Sequence, residues 1–205
     1  MRMKHLTAMS IVLFTSMIIT DASQAQSKKS SGAGKLDPKA IKSVLVKVAD
    51  WQVKTPLTHT GADWTNGALF AGMAAWAKIA GDDKYYNWLI EMGDKNNWTY
   101  KHRSDPRGRY HADDYCVGQM YIELYRKYKE AKMIDSIRNY LDEILRNPSN
   151  LGLEFVFTDT HHPTERWSWC DALFMGPTVW AKIATETGDR KFLDFMYREF
   201  KAATV

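Results

Sequence analysis

Cysteine is scarce in this sequence. Cys116 and Cys170 are the only two, and neither stands at a metal-type spacing from histidine. A disulfide-stapled scaffold and a zinc module are therefore both excluded. Charge of one sign is scarce too: the formal net charge is +4 over 205 residues, with the basic residues scattered and not striped. That balance gives no electrostatic footprint for nucleic acid. No apolar run reaches the about 20 residues a membrane-spanning helix needs; the longest, Leu6 to Ile19, is interrupted by Ser and Thr. Alternating strand patterns are missing, apart from a short candidate at Leu153 to Phe157.

What the sequence does contain begins with an address. Arg2 and Lys4 precede the apolar run, and Ser23 and Ala25 supply small residues at the −3 and −1 positions of a signal-peptidase site. Residues 1–25 are expected to be a signal peptide, and no Cys follows to carry a lipid. The mature protein should then be periplasmic or extracellular and hold no membrane. Residues 26–36 are polar and rich in Gly and Ser, which suits a flexible linker. Residues 37–205 remain as one globular domain. An oxidising compartment permits a disulfide, but two small buried thiols are the preferred reading of Cys116 and Cys170.

An internal repeat sets the architecture. Residues 69–80 read LFAGMAAWAKIA and residues 173–184 read LFMGPTVWAKIA, identical at eight of twelve positions with an offset of 104. A fainter copy, DDYCVGQMYIELYRKY, aligns its Gly118 with Gly72 and Gly176. An amphipathic segment follows each copy after a polar turn. The unit is an apolar inner helix, a turn and an outer helix, so the class is all-α. Stacked hairpins of this length suit an α/α toroid, whose six units need roughly 300–350 residues. About three hairpins are encoded, and a truncated toroid with an apolar edge is expected.

In a toroid the loops before the inner helices gather at one mouth. They contribute Trp64-Thr65-Asn66, His111-Ala112-Asp113-Asp114 and Arg166-Trp167-Ser168-Trp169-Cys170-Asp171. Asp113 and Asp171 each stand five residues before their repeat glycine, where the first repeat has Gly67. Two carboxylates at equivalent places suit acid–base chemistry, since one can stay protonated beside the other. The alternative is that each Asp merely caps its helix. Trp64, Trp167 and Trp169 offer faces for a sugar, or pack in the core. Arg166, His161 and His162 are candidates for holding a carboxylate, Arg through its bidentate fork, or are solvated. Asn66 and Gln119 are candidate hydrogen-bonding residues, with a buried neighbour as the competing partner. Arg103, Arg107 and Arg109 make a basic loop read as solvated.

The stretches HADDYCVGQMYIELY and RWSWCDALFMGPTVWAKI resemble glycoside hydrolase family 105, the unsaturated rhamnogalacturonyl hydrolases, and the order of parts agrees over nearly all of residues 37 to 201. The resemblance implies an (α/α)6 barrel that removes a terminal 4-deoxy unsaturated galacturonyl residue from a pectic oligosaccharide by hydrating its C4=C5 bond, with neither cofactor nor metal. It implies that Asp171 is the proton donor and water-activating base, and that Asp113, with Asp114 in competition, is the second functional carboxylate. It further places a stacking residue at Trp169 and a sugar-binding histidine at His161 or His162. The family's later inner helices have no counterpart here, so weak activity is expected. Family 88, acting on unsaturated glucuronyl fragments, a sugar epimerase of the same architecture and a non-catalytic carbohydrate-binding remnant are the alternatives.

Overall fold

The computed structural model describes residues 37–102, 110–154, 158 and 166–205. The signal peptide and linker read at residues 1–36 lie outside these. No strand occurs among the described residues; of the strand candidate, Leu153 and Glu154 are irregular and 155–157 lie outside. The chain divides into Met1–Val44 and Leu45–Val205. Of the first unit, residues 37–44 are described: Asp37 Oδ1 accepts the Lys39 N–H at 3.0 Å, and the helix that starts there leaves Ile41 and Val44 exposed.

Helix α1 spans Pro38–Lys54. In the larger unit it is followed by α2 (Trp64–Ala80) and α3 (Lys84–Lys95), then by the short α4 (Ala112–Tyr115) and α5 (Gly118–Tyr128). A 3-10 turn at Ala131–Met133 leads into α6 (Asp135–Arg146), and α7 (Ala172–Thr187) and α8 (Arg190–Thr204) complete the order. These are the three hairpins that the repeat requires: α2 with α3, α4–α5 with α6, and α7 with α8.

The inner and outer roles follow from burial. Helix α5 packs against both α2 and α7, and every residue from Gly118 to Leu124 is buried. The outer helices bury one stripe only. In α3 that stripe is Tyr85, Trp88, Leu89 and Met92, and in α6 it is Ile137, Tyr140, Leu141 and Ile144. Both sets follow the i, i+3, i+4, i+7 spacing of a helix with one face inward.

The glycines of the repeat are not equivalent. A Cβ on Gly176 would stand 2.5 Å from the Trp167 ring, whereas one on Gly72 would meet nothing within 4 Å. Gly67 is the tight one in the first copy. A Cβ there would stand 2.9 Å from the Val117 backbone nitrogen and 3.0 Å from Cys116 Sγ. The place that holds Asp113 and Asp171 in the other copies is thus closed to any side chain in the first. Cys116 and Cys170 are both free; Cys116 is buried, as the sequence suggested, but Cys170 is exposed. Burial pushes the Cys116 thiol up to about 12, so it is inert packing.

Candidate active site

A capped entry places the first aromatic. Asp63 precedes α2, and its Oδ1 accepts the Thr65 N–H at 3.1 Å, while Lys101 Nζ pairs with Oδ2 at 2.8 Å. Burial alone would raise this carboxyl, but hydrogen bonds from Lys101 and Thr65 outweigh it and hold it at about 2. Trp64 therefore opens the helix with its ring 39% exposed. On the third inner helix, Asp171 stands directly before α7, with φ −70° and ψ −26°. Its carboxylate makes no capping bond and no hydrogen bond or ion pair to another described residue.

The start of α4 lies against α7. His111 caps α4 through its ring: Nδ1 accepts the Asp113 N–H at 3.3 Å and lies 3.2 Å from Asp113 Oδ1. Asp171 makes no side-chain cap bond at α7, and the capping side chain at α4 is His111. Asp113 and Asp171 both line one cleft of about 190 Å³, together with Trp64, His111, Arg166 and Trp169. A larger open groove of about 570 Å³ lies between the end of α1 and α3, but Glu91 is its one lining carboxylate.

Arg166 forms the cleft wall with its back already engaged. Its Nε donates to Glu199 Oε2 at 2.8 Å and an Nη donates to the Leu151 carbonyl at 3.0 Å. Trp169, 44% exposed, stands at the rim. Among the described residues, no three His, Cys, Asp or Glu side chains are grouped as metal ligands.

Four sequence candidates fall elsewhere. Asp114 is buried and does not line the cleft, so Asp113 is the carboxylate of this pair that shares the cleft lining with Asp171. Trp167 is buried; its Nε1 donates to the Tyr115 hydroxyl at 3.0 Å, and its ring packs beneath Gly176. It is a core residue supporting the cleft from below. Asn66 is buried and donates to the carbonyls of His59 at 3.2 Å and Thr60 at 2.8 Å, so it clips the loop ahead of α2. Gln119 is buried and donates to the Phe174 carbonyl at 3.1 Å, tying α5 to α7. His161 and His162 lie outside the described residues, as do Arg103, Arg107 and Arg109. His111, which the sequence places at the mouth without a role, lines the cleft as well, two residues before Asp113.

With this geometry in place, comparison with known proteins is informative. The family model described as Glycosyl Hydrolase Family 88 matches residues 38–204. The chain is 27% identical over 148 residues to an unsaturated 3S-rhamnoglycuronyl hydrolase of Alteromonas sp. (strain LOR), covering 68% of this chain and 35% of that protein. It is 28% identical over 170 residues to a protein of the same description from Formosa agariphila, covering 80% and 43%. The chain thus spans less than half the length of these relatives. Among solved structures, a polysaccharide lyase superposes with a TM-score of 0.62 at 18% identity, over 79% of this chain and 46% of that one. A family 88 glycosyl hydrolase from Bacteroides vulgatus gives 0.58 at 16% identity, over 78% and 46%. At such identities the two structures speak to the fold, which is that of the six-hairpin glycosidases.

Proposed function

Since the chain belongs to glycosyl hydrolase family 88, we propose that its cleft binds a terminal 4-deoxy unsaturated uronyl residue and hydrates the C4=C5 bond. The observation that carries this reading is the convergence of Asp113 and Asp171 on one cleft between Trp64 and Trp169, with Asp171 left unbonded by the described residues. In the sugar, C5 bears the ring oxygen, so the double bond is an enol ether. A proton delivered to C4 leaves a cation shared by C5 and that oxygen. Water then adds at C5, giving up its proton, and the resulting hemiketal opens and releases the next sugar. One water is consumed.

Asp171 is assigned both proton steps, first as acid and then as base to the attacking water. Asp113 holds the ring and offers negative charge to the cation. Trp169 and Trp64 cover the apolar faces of the sugar. Arg166, anchored from behind, offers its remaining N–H groups to the uronate carboxylate.

Elimination makes C4 trigonal, so galacturonyl and glucuronyl termini become the same residue. Choice among oligosaccharides must therefore fall to the sugar behind it. We place rhamnose there, as in fragments of rhamnogalacturonan. The rhamnoglycuronyl substrates in the relatives' descriptions point to rhamnose as well. An amino sugar in that position is the rival.

The test follows the ultraviolet absorbance of the conjugated double bond. Substrates are unsaturated uronyl–rhamnose disaccharides with different attachments to rhamnose, and an unsaturated uronyl–amino sugar. Loss of absorbance with a rhamnose substrate, abolished by Asp171→Asn, is expected. Equal turnover in Asp171→Asn would remove the assignment, and preference for the amino sugar would move the substrate class.

A further inference from the structure

Glu199 breaks the pattern of its helix. The stretches GDDK at 81–84 and GDRK at 188–191 lead into the equivalent outer helices α3 and α8. Counted from them, Tyr85 matches Phe192, both 1% exposed, and Met92 matches Glu199, both 7% exposed. The first copy thus buries a thioether where the third buries a carboxylate. A charge placed where the repeat otherwise keeps an apolar side chain is costly to bury, and such breaks in local logic gather at functional sites.

The carboxylate meets two arginines. Glu199 Oε2 accepts from Arg166 Nε at 2.8 Å and Oε1 accepts from Arg198 Nε at 3.0 Å. An Nη of Arg166 also donates to the Leu151 carbonyl at 3.0 Å. Two acceptors on different edges fix the guanidinium plane and leave three of its five N–H groups. Arg166 lines the cleft on one side and, on the other, a cavity of about 20 Å³ walled in part by Trp167, Phe195 and Glu199. That cavity has room for about one water. Two positive charges share one negative, so the group keeps a net positive charge. Among the described residues, Arg166 is the one Lys or Arg lining a cleft that already holds Asp113 and Asp171.

We infer that Glu199 is a positioning residue that acts through Arg166. It fixes the guanidinium as receptor for the uronate carboxylate and so sets the preference of the cleft for a charged terminal residue over a neutral one. The link to uronate rests on the proposed hydration, whereas the clamp on Arg166 does not.

Two experiments separate these parts. In heteronuclear NMR the Arg166 Nε–H, assigned by its loss in Arg166→Lys, should exchange slowly in the wild type and at least about tenfold faster in Glu199→Met. Equal protection in both would overturn the clamp whatever the enzyme does. The second compares turnover of an unsaturated uronyl–rhamnose disaccharide with that of its methyl ester, which keeps the double bond and loses the charge. The wild type should favour the acid. Glu199→Met should lose about tenfold of that preference through KM with kcat held, the worth of one charge-assisted hydrogen bond. Arg198→Met, which removes the arginine outside the cleft, should leave the preference intact. An unchanged preference in Glu199→Met, or an equal loss in Arg198→Met, would overturn the positioning role. Should the Met variant not fold, Glu199→Gln carries both tests with a smaller loss, since one carbonyl oxygen remains for two arginines, and no loss at all would count against the inference. Failure of the wild type on every substrate would sink the hydration alone, and proton exchange would then decide the clamp.

Discussion

At the scale of single residues, the two tryptophans flanking Ser168 make the sharpest contrast. Trp167 donates to the Tyr115 hydroxyl, lies 6.4 Å from Phe195 between ring centroids and fills the space left by Gly176. Trp169 is 44% exposed at the cleft rim. Trp167→Ala should therefore cost about 3–5 kcal/mol of stability, measured by urea unfolding, while Trp169→Ala shifts the unfolding midpoint far less and weakens oligosaccharide binding. Equal destabilisation by both would contradict the placement. The sequence did not separate them, because the segment is irregular and no helical or strand period tells one face from the other. For Asn66 and Gln119 the sequence left a ligand and a buried neighbour as rival partners, for a related reason. A polar residue in an apolar helix announces a partner but not its kind, and here the partners are carbonyls of a loop and of another helix. That Asp113 and Asp171 line one cleft was legible, because their five-residue spacing to a repeat glycine is a relation within the chain. Choosing Asp113 over Asp114 needed coordinates.

At the scale of helices, the repeat shows its logic away from the cleft. Lys78 and Lys182 stand at the same place in the two WAKIA copies, on α2 and α7, and both reach Glu123 on the α5 helix between them. Arg126 completes the cluster, 3.0 Å from Glu123 and 2.7 Å from Glu186. Burial would raise the Glu123 carboxyl, but hydrogen bonds from Lys182 and Lys78 overcome it and hold it at about 2 against an ordinary 4.5. A carboxyl depressed in the folded state adds stability that is complete above its unfolded value and lost as pH falls toward the folded one. Wild-type stability should thus decline between about pH 5 and pH 2. Glu123→Gln should lower stability by about 1 kcal/mol near neutrality, because three partly exposed cations lose their shared carboxylate and water screens them only in part, and should flatten that acid decline. Thermal melts across this pH range read both effects, and an unchanged acid slope in the variant would assign the decline to other carboxylates. The lysines were visible in the sequence as repeat letters, but their meeting point was not, since Glu123 has no counterpart in the other copies.

At the scale of the molecule, the inner helices have neighbours, but two flanking helices show apolar faces to solvent. On α1, Leu45, Val48 and Trp51 are exposed, and on α8, Leu193, Tyr197 and Phe200 are exposed. The hydrophobic periodicity of these helices says which residues share a face, not what covers it. Contiguous apolar surface of this kind binds hydrophobic dyes and promotes self-association. The paired change Leu193→Lys with Tyr197→Lys should reduce dye fluorescence and the associated fraction in sedimentation, while leaving the helical circular dichroism intact. Dye binding unaffected by that change would place the sticky surface elsewhere. The all-helical hairpin plan was legible because duplication leaves letters that can be matched without coordinates. Duplication does not, however, hand chemistry to every copy. At Gly67 the backbone of the second copy presses so close that no side chain can be installed there. A designer wishing to add a third acid to this mouth could not use the position that symmetry offers. The thickness of a peptide bond leaves this place in the repeat open to an acid in two copies and shut in the third.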